Sequence, residues 1–129
     1  MYQNKKVIGL WMDHEGAYVI NTPDNTNVGD FEVITKIKSN LHGSFGSSQD
    51  ANSNKISTEL HQYFKQLSRE LNGNDFAYVI GPGKAQEEFR NFVKKEGALK
   101  DLKMEVDTAE AHMTNNQMVA KVRTHFRSE

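Results

Sequence analysis

Five consecutive apolar residues, Phe76-Ala77-Tyr78-Val79-Ile80, run directly into Gly81-Pro82-Gly83, and this stretch constrains the chain more than any other. The run is too short for a helix and is bounded by breakers, the pattern of a strand buried on both faces. From Lys84 the pattern turns helical, with Glu87 and Glu88 early, where a helix dipole favours anions. Strand, tight turn and helix in succession require an α/β domain with Phe76–Ile80 at its centre. The turn itself reads in two ways. Gly81 and Gly83 supply turn geometry, since glycine adopts positive φ at little cost. Alternatively Gly81, Gly83 and Lys84 form an anion- or phosphate-binding turn, with free backbone N–H groups pointing at a ligand.

The rest of the chain fits around that strand. Lys5–Asp13 is apolar on both faces and reads as a second central strand. His14, Glu15 and Gly16 make a turn, and Ala17–Asn21 return as a strand. After a turn at Pro23, Asp24, Asn25 and Asn27, residues Val28–Lys38 alternate. Phe31, Val33, Thr35 and Ile37 are expected on one face and Glu32, Lys36 and Lys38 on the other, with Ile34 breaking the pattern. That is the signature of a half-exposed edge strand. Ile56, Leu60, Tyr63, Phe64, Leu67 and Leu71 share one face of a helix over Lys55–Leu71, closed by Asn72-Gly73. A second helix buries Phe89, Phe92 and Val93 and stops near Gly97. Leu102–Val106 forms the fifth strand, with Leu102, Met104 and Val106 inward. Thr114 and Gln117 have capping-box spacing and open a last helix packed through Met118, Val119, Val122 and Phe126.

The order is β-β-β-α-β-α-β-α. Strands joined by short turns are antiparallel, and strands separated by helices are parallel to a neighbour. The expected fold is a three-layer α/β/α sandwich on a five-stranded mixed sheet, ribonuclease H-like, formed by residues 1–129 as one domain.

Composition narrows the function classes. Sixteen Lys and Arg oppose seventeen Asp and Glu, for a net charge of −1. A dedicated nucleic-acid binder carries a basic excess, so any RNA contact must use a local patch. No cysteine is present, which excludes thiolate chemistry and fits a cytosolic protein. The apolar run Val7–Met12 is too short to span a bilayer or serve as a signal peptide. The expectation is a soluble cytoplasmic domain with no membrane partner.

The catalytic classes suggested by the fold find little support. A metal-dependent nuclease gathers several carboxylates at strand ends. Here Asp13, Glu59 and Asp107 are scattered, and the central strand exits without an acid. The histidines, at 14, 42, 61, 112 and 125, include no H-x-x-x-H pair, so no metal site is expected. Gly46-Ser47-Ser48 lacks the strand-to-helix context of a nucleophile elbow. Gly81-Pro82-Gly83-Lys84 lacks P-loop spacing, and Ala85 follows the lysine. Trp11 reads as core, and nothing calls for a cofactor.

The least patterned stretch is SNLHGSFGSSQDANSN, residues 39–54. A loop this long inside a small domain is functional or disordered. Residues 42–53 offer almost no apolar surface to offset the entropy of ordering and are expected to be mobile in the free protein.

Three segments, GLWMDHEGAYVI, YVIGPGKAQEEF and MTNNQMVAKVRTHF, carry a resemblance over nearly the whole chain. The chain resembles small bacterial proteins related to the middle domain of the eukaryotic and archaeal peptide-chain release factor, a domain also present in Pelota. In release factors the loop between the third strand and first helix carries a Gly-Gly-Gln motif whose glutamine helps water cleave peptidyl-tRNA. The resemblance places His42, Gly43, Gly46, Ser47, Ser48 and Gln49 in that loop, with Gln49 matching the catalytic residue by type. Serines replace the two glycines before it, and no Lys or Arg lies between Lys38 and Lys55. Serine disfavours the backbone angles and close approach that glycine permits. The resemblance therefore implies contact with the ribosome (rRNA) or tRNA without catalysis, as in Pelota, whose corresponding domain lacks the motif. The alternatives are a minimal peptidyl-tRNA hydrolase or rescue factor using Gln49, and a binding module unrelated to translation.

Overall fold

Val7–Met12, strand β1, is buried at every position. It earns that burial by lying third of five strands, with a neighbour on each edge and helices over each face. The structure, a computed structural model, describes residues 2–39 and 50–127, with side chains from residue 58 onward in the second stretch. After β1 come β2 (Gly16–Asn21), β3 (Glu32–Lys38), α1 (Asp50–Leu71), β4 (Phe76–Gly81), α2 (Ala85–Glu96), β5 (Lys103–Thr108) and α3 (Asn115–Arg127). The sheet order is β3-β2-β1-β4-β5. β2 pairs antiparallel with β1 and with β3, while β4 runs parallel to β1 and to β5. Both doubly apolar runs are interior strands, and β3 lies at an edge.

Two cores result, one on each face of the sheet. Leu10, Met12 and Val79 pack with Phe64 and Leu67 of α1 and Phe89 of α2. Trp11, Ile20 and Ile80 pack on the opposite face with Met118, Val122 and Phe126 of α3. The α3 start forms a reciprocal capping box: Gln117 N–H donates to Thr114 Oγ1 at 3.1 Å, and Thr114 N–H donates to Gln117 Oε1 at 2.9 Å. Gly73 and Gly97 end α1 and α2 at φ of 88° and 68°, the left-handed region that favours glycine.

α3 reaches the sheet most closely at Gly9. A Cβ there would lie 2.6 Å from Val122 Cγ2 and 3.1 Å from Val122 Cβ, so helix and strand meet backbone to side chain.

Two expectations need correction. The alternation of Val28–Lys38 does not place Phe31, Val33, Thr35 and Ile37 on one face. Val19 opposes Thr35 while Ile20 opposes Val33, so Ile34 is an extra residue in β3 and forms a bulge. The bulge changes the face in mid-strand. Phe31 and Val33 pack with α3, whereas Ile37 packs with the α1 and α2 core. Ile34, left 54% exposed, is the residue that broke the sequence pattern. The first helix also starts at Asp50, not Lys55. No glycine or proline lies between Ser47 and Asn72, and a helix already nucleated by packing extends backward at little cost through such a stretch. Residues 50–53 are therefore helical, and the rest of the expected mobile stretch, 42–49, lies outside the described residues.

Gly9→Ala is expected to destabilise the fold by about 1–3 kcal/mol through overpacking against Val122. Pairing it with Val122→Ala should recover part of that loss. Urea titration of the two single variants and the double variant measures the coupling.

Candidate functional site

Three successive carbonyls in the turn between β1 and β2 are each taken by a different donor. Tyr63 Oη donates to Asp13 O at 2.9 Å, Ser39 Oγ to His14 O at 2.6 Å, and Ser39 N–H to Glu15 O at 3.0 Å. Asp13 Oδ1 accepts from the N–H groups of Glu15 and Gly16 at 2.9 and 3.0 Å and holds the same turn from within. His14 Nε2 lies 2.6 Å from Glu88 Oε1, which ties the turn to the first turn of α2. Burial pushes the Tyr63 hydroxyl well above its ordinary range, and the Asp13 carboxylate adds to the shift, so it stays a donor. Ser39 is 3% exposed and is the last residue before the segment 40–49. Ser39 is thus a fixed point at the end of β3.

Beside that point lies a groove of about 740 Å³, lined among others by Trp11, Tyr18, Lys36, Lys38, Ser39 and His112. Its floor is the part of the sheet face that α3 leaves open. Tyr18 pairs with Lys36 and Gly16 with Lys38, which puts both lysines on the Tyr18 face. Lys36 Nζ sits 5.0 Å from the centre of the Tyr18 ring. Trp11 supports Tyr18 edge to face at 5.9 Å and donates its Nε1–H to Glu110 O at 3.2 Å. Trp11 is core, as its place in a central strand implies, while the half-buried Tyr18 offers a ring flanked by cations. Sequence reasoning treated Lys36 and Lys38 as an ordinary polar face and passed over Tyr18. The signal was the hairpin register, which needs the bulge to be placed.

The Gly81-Pro82-Gly83-Lys84 turn is built otherwise than by positive φ. Neither glycine has a left-handed backbone. Gly81 is the last residue of β4, and a Cβ on it would collide with the Met12 carbonyl oxygen of β1. Its own carbonyl accepts from Ala109 N–H at 2.8 Å and from the buried Gln86 Nε2 at 2.9 Å. Gln86 Nε2 also reaches Asp107 O at 3.3 Å and so clamps the ends of β4 and β5. Gly81 is glycine for space. Gly83 and Lys84 are exposed, and the first turn beyond them carries Glu87 and Glu88.

Among the described residues the remaining candidate carboxylates do not gather into a cluster. Asp107 takes Thr108 N–H at 2.8 Å and Tyr78 Oη–H at 3.1 Å, which together hold it below its ordinary value, with the backbone N–H contributing most. Glu59 lies on α1, apart from both Asp13 and Asp107 in the chain. Among the described residues no three His, Asp or Glu side chains come close enough to hold a metal ion. His125 stacks on the Tyr78 ring, 3.7 Å between centres and 2° from parallel, and its Nε2 lies 2.9 Å from Glu105 Oε2. Tyr2 Oη is 3.3 Å from the same nitrogen. The residues named for the loop, His42, Gly43, Gly46, Ser47, Ser48 and Gln49, lie outside the described residues.

A three-layer sandwich on a five-stranded mixed sheet defines the class of domain. Solved structures that share this fold include Pelota proteins. Thermoplasma acidophilum Pelota superposes with a TM-score of 0.60 at 16% identity, over 95% of this chain and 36% of that one. A ribosome-bound archaeal Pelota, described together with ABCE1, gives 0.55 at 19% identity over 93% and 32%. Archaeoglobus fulgidus Pelota gives 0.54 at 14% over 97% and 33%. The chain spans about a third of each. At these identities the likeness establishes the fold, and the resemblance to Pelota read from sequence has its counterpart in structure. No protein-family profile and no curated protein matches the sequence.

Two outcomes are expected. Gly81→Ala should cost about 3 kcal/mol, because its methyl meets backbone and has nowhere to relax; thermal or urea unfolding reads this directly. For His125, burial lowers the pKa below its ordinary 6.5, and the carboxylates of Glu105 and Asp107 offset this only in part, with Lys121 opposing them. The unfolded chain then binds the proton more readily, so this stabilisation is full above 6.5 and lost as pH falls through the folded value. The urea midpoint should fall as pH is lowered below about 6.5, and the drop should be smaller in His125→Phe.

Proposed function

We propose that this chain binds the ribosome or ribosome-bound tRNA by contact, without catalysis, through residues 39–54 and the groove at their root. The observation that carries the reading is the fold shared with Pelota over 93% or more of the chain, in a set that includes a ribosome-bound Pelota. The local geometry supports it. Ser39, whose backbone and side chain are both tied down, lines the same groove as Tyr18, Lys36 and Lys38, and the sequence that follows it is rich in small polar residues.

An aromatic ring with Lys36 against it and Lys38 further along the same face suits single-stranded or looped RNA, with a base on the ring and phosphates on the cations. Asp13 and Glu15 line the same groove, so the two lysines offer point contacts for phosphate rather than a patch of net positive charge. His42, Gly43, Gly46, Ser47, Ser48 and Gln49 make the remaining contacts, with Gln49 as a hydrogen-bonding group. No helix among the described residues is long and apolar enough to cross a membrane; in this reading the protein works in the cytoplasm, where ribosomes are.

Ribosome pelleting tests the proposal. Cosedimentation should weaken with salt, by roughly tenfold between 50 and 200 mM if two phosphate contacts carry it. It should weaken further in Lys36→Glu/Lys38→Glu and when the segment between Asn40 and Asn54 is shortened. Peptidyl-tRNA should stay intact on ribosomes with the native protein and with Gln49→Ala alike. Release activity that disappears in Gln49→Ala would instead make the chain a hydrolase, and absence of pelleting at low salt would remove translation from the reading.

A further inference from the structure

At the opposite end of the sheet from Ser39, a second groove of about 380 Å³ opens between the end of α2 and the start of β5. Its apolar lining comes from Val93, Leu99, Leu102 and Met104, the near edge of the α1 and α2 core. Arg90, Lys94 and Lys100 stand around it, and no acidic residue lines it. None of these three cations has an ion-pair or side-chain hydrogen-bond partner among the described residues, and Arg90 Nε is buried without an acceptor. In a chain of net charge −1, three unmatched cations around one apolar groove are not background.

The helix dipole accounts for Lys94, in the last turn of α2, but not for Arg90 a turn earlier or Lys100 beyond the helix. The groove wall carries a further irregularity. Leu99 has φ of 55°, a left-handed backbone that a branched side chain resists, and Leu102 N–H holds it there by donating to Leu99 O at 3.0 Å. The strained turn half-exposes the Leu99 side chain beside Lys100, whose Cε lies 4.0 Å from the Cβ position of Gly97.

We infer that this groove docks an acidic peptide segment of a partner protein, with a bulky aliphatic side chain seated on Val93, Leu99, Leu102 and Met104. Its carboxylates meet Arg90, Lys94 and Lys100, and one of them supplies the acceptor that Arg90 Nε lacks. RNA is the poorer occupant, because no aromatic ring lines the groove to stack a base. This docking site is independent of the ribosome reading and sits at the other end of the molecule.

The test is fluorescence anisotropy of the full chain with three fluorescein-labelled probes: a peptide of alternating glutamates and leucines, its glutamate–alanine counterpart, and an oligouridylate. The glutamate–leucine peptide should bind, at least fivefold more tightly than the alanine peptide, and should lose tenfold or more with Lys94→Glu/Lys100→Glu. Both lysines are exposed, so the variant should keep its circular dichroism spectrum and melting midpoint. On the native protein, the peptide should shift the methyl resonances of Val93, Leu99 and Leu102 and leave those of Val7 and Ile20 unmoved, a readout that needs no variant. Failure of the glutamate–leucine peptide to bind overturns the inference. So do equal binding of the two peptides, indifference to the double reversal, or oligouridylate shifting the same methyls.

Discussion

The close approach of α3 to β1 at Gly9 sets the terms for much of what lies on that side of the molecule. Because Val122 rests on a residue without a side chain, the helix sits low on the middle of the sheet. Five strands spaced roughly 4.8 Å apart make a sheet about 19 Å across, and one helix with its side chains is about 10 Å wide. A single helix therefore cannot cover the face. The opposite face has two helices and a continuous apolar core. On the α3 face the flanks are finished differently. Over β4 and β5 the gap is filled by the stacked Tyr78 and His125 rings, with Tyr2 and Glu105 closing the network. Over β2 and β3 the described residues leave a groove lined by Tyr18, Lys36 and Lys38. The candidate interface is thus what remains when a two-layer arrangement receives a third layer one helix wide.

The hydrogen bonds around the β1–β2 turn solve a related problem. A turn at the end of a buried strand exposes carbonyls to a partly dry environment, where an unmatched acceptor is expensive. Tyr63 and Ser39 satisfy three of them in sequence. The Ser39 bonds also fix the end of β3 against this turn, and Tyr63 ties the turn to α1. Satisfying the backbone and anchoring the end of β3 are one arrangement, so a residue such as Ser39, unremarkable by type, acquires a structural role through position.

How far the sequence discloses all this depends on whether a feature is local. The interior strands, the capping box at Thr114 and Gln117, and the glycine ends of α1 and α2 are legible, because each is set by residues within one turn or one strand. Three things are not. The bulge at Ile34 leaves only an interruption in alternation, and its effect on which face Phe31 and Ile37 occupy depends on the partner strand. The requirement for Gly81 comes from the Met12 carbonyl, nearly seventy residues earlier, and so reads in sequence as a turn glycine. The α1 start at Asp50 reflects helix propagation from a packed end rather than any start signal nearby. The candidate site suffers most, since Tyr18, Lys36 and Lys38 come together only once the hairpin register is known, and the alternation misleads about that register.

The central position of β1 also dictates an order of events in folding. β1, β2 and β3 follow one another in the chain with no helix between them and can pair early as a meander. β1's other edge, however, is closed by β4, which the chain reaches only after all of α1. Until then β1 presents an open strand edge and two uncovered apolar faces, the template on which a half-made chain associates with its neighbours. α3 follows β5 in the chain, so the face containing Trp11 and Ile20 stays bare until α3 is in place. A nascent or truncated copy ending before β4 is consequently the form most in need of a chaperone.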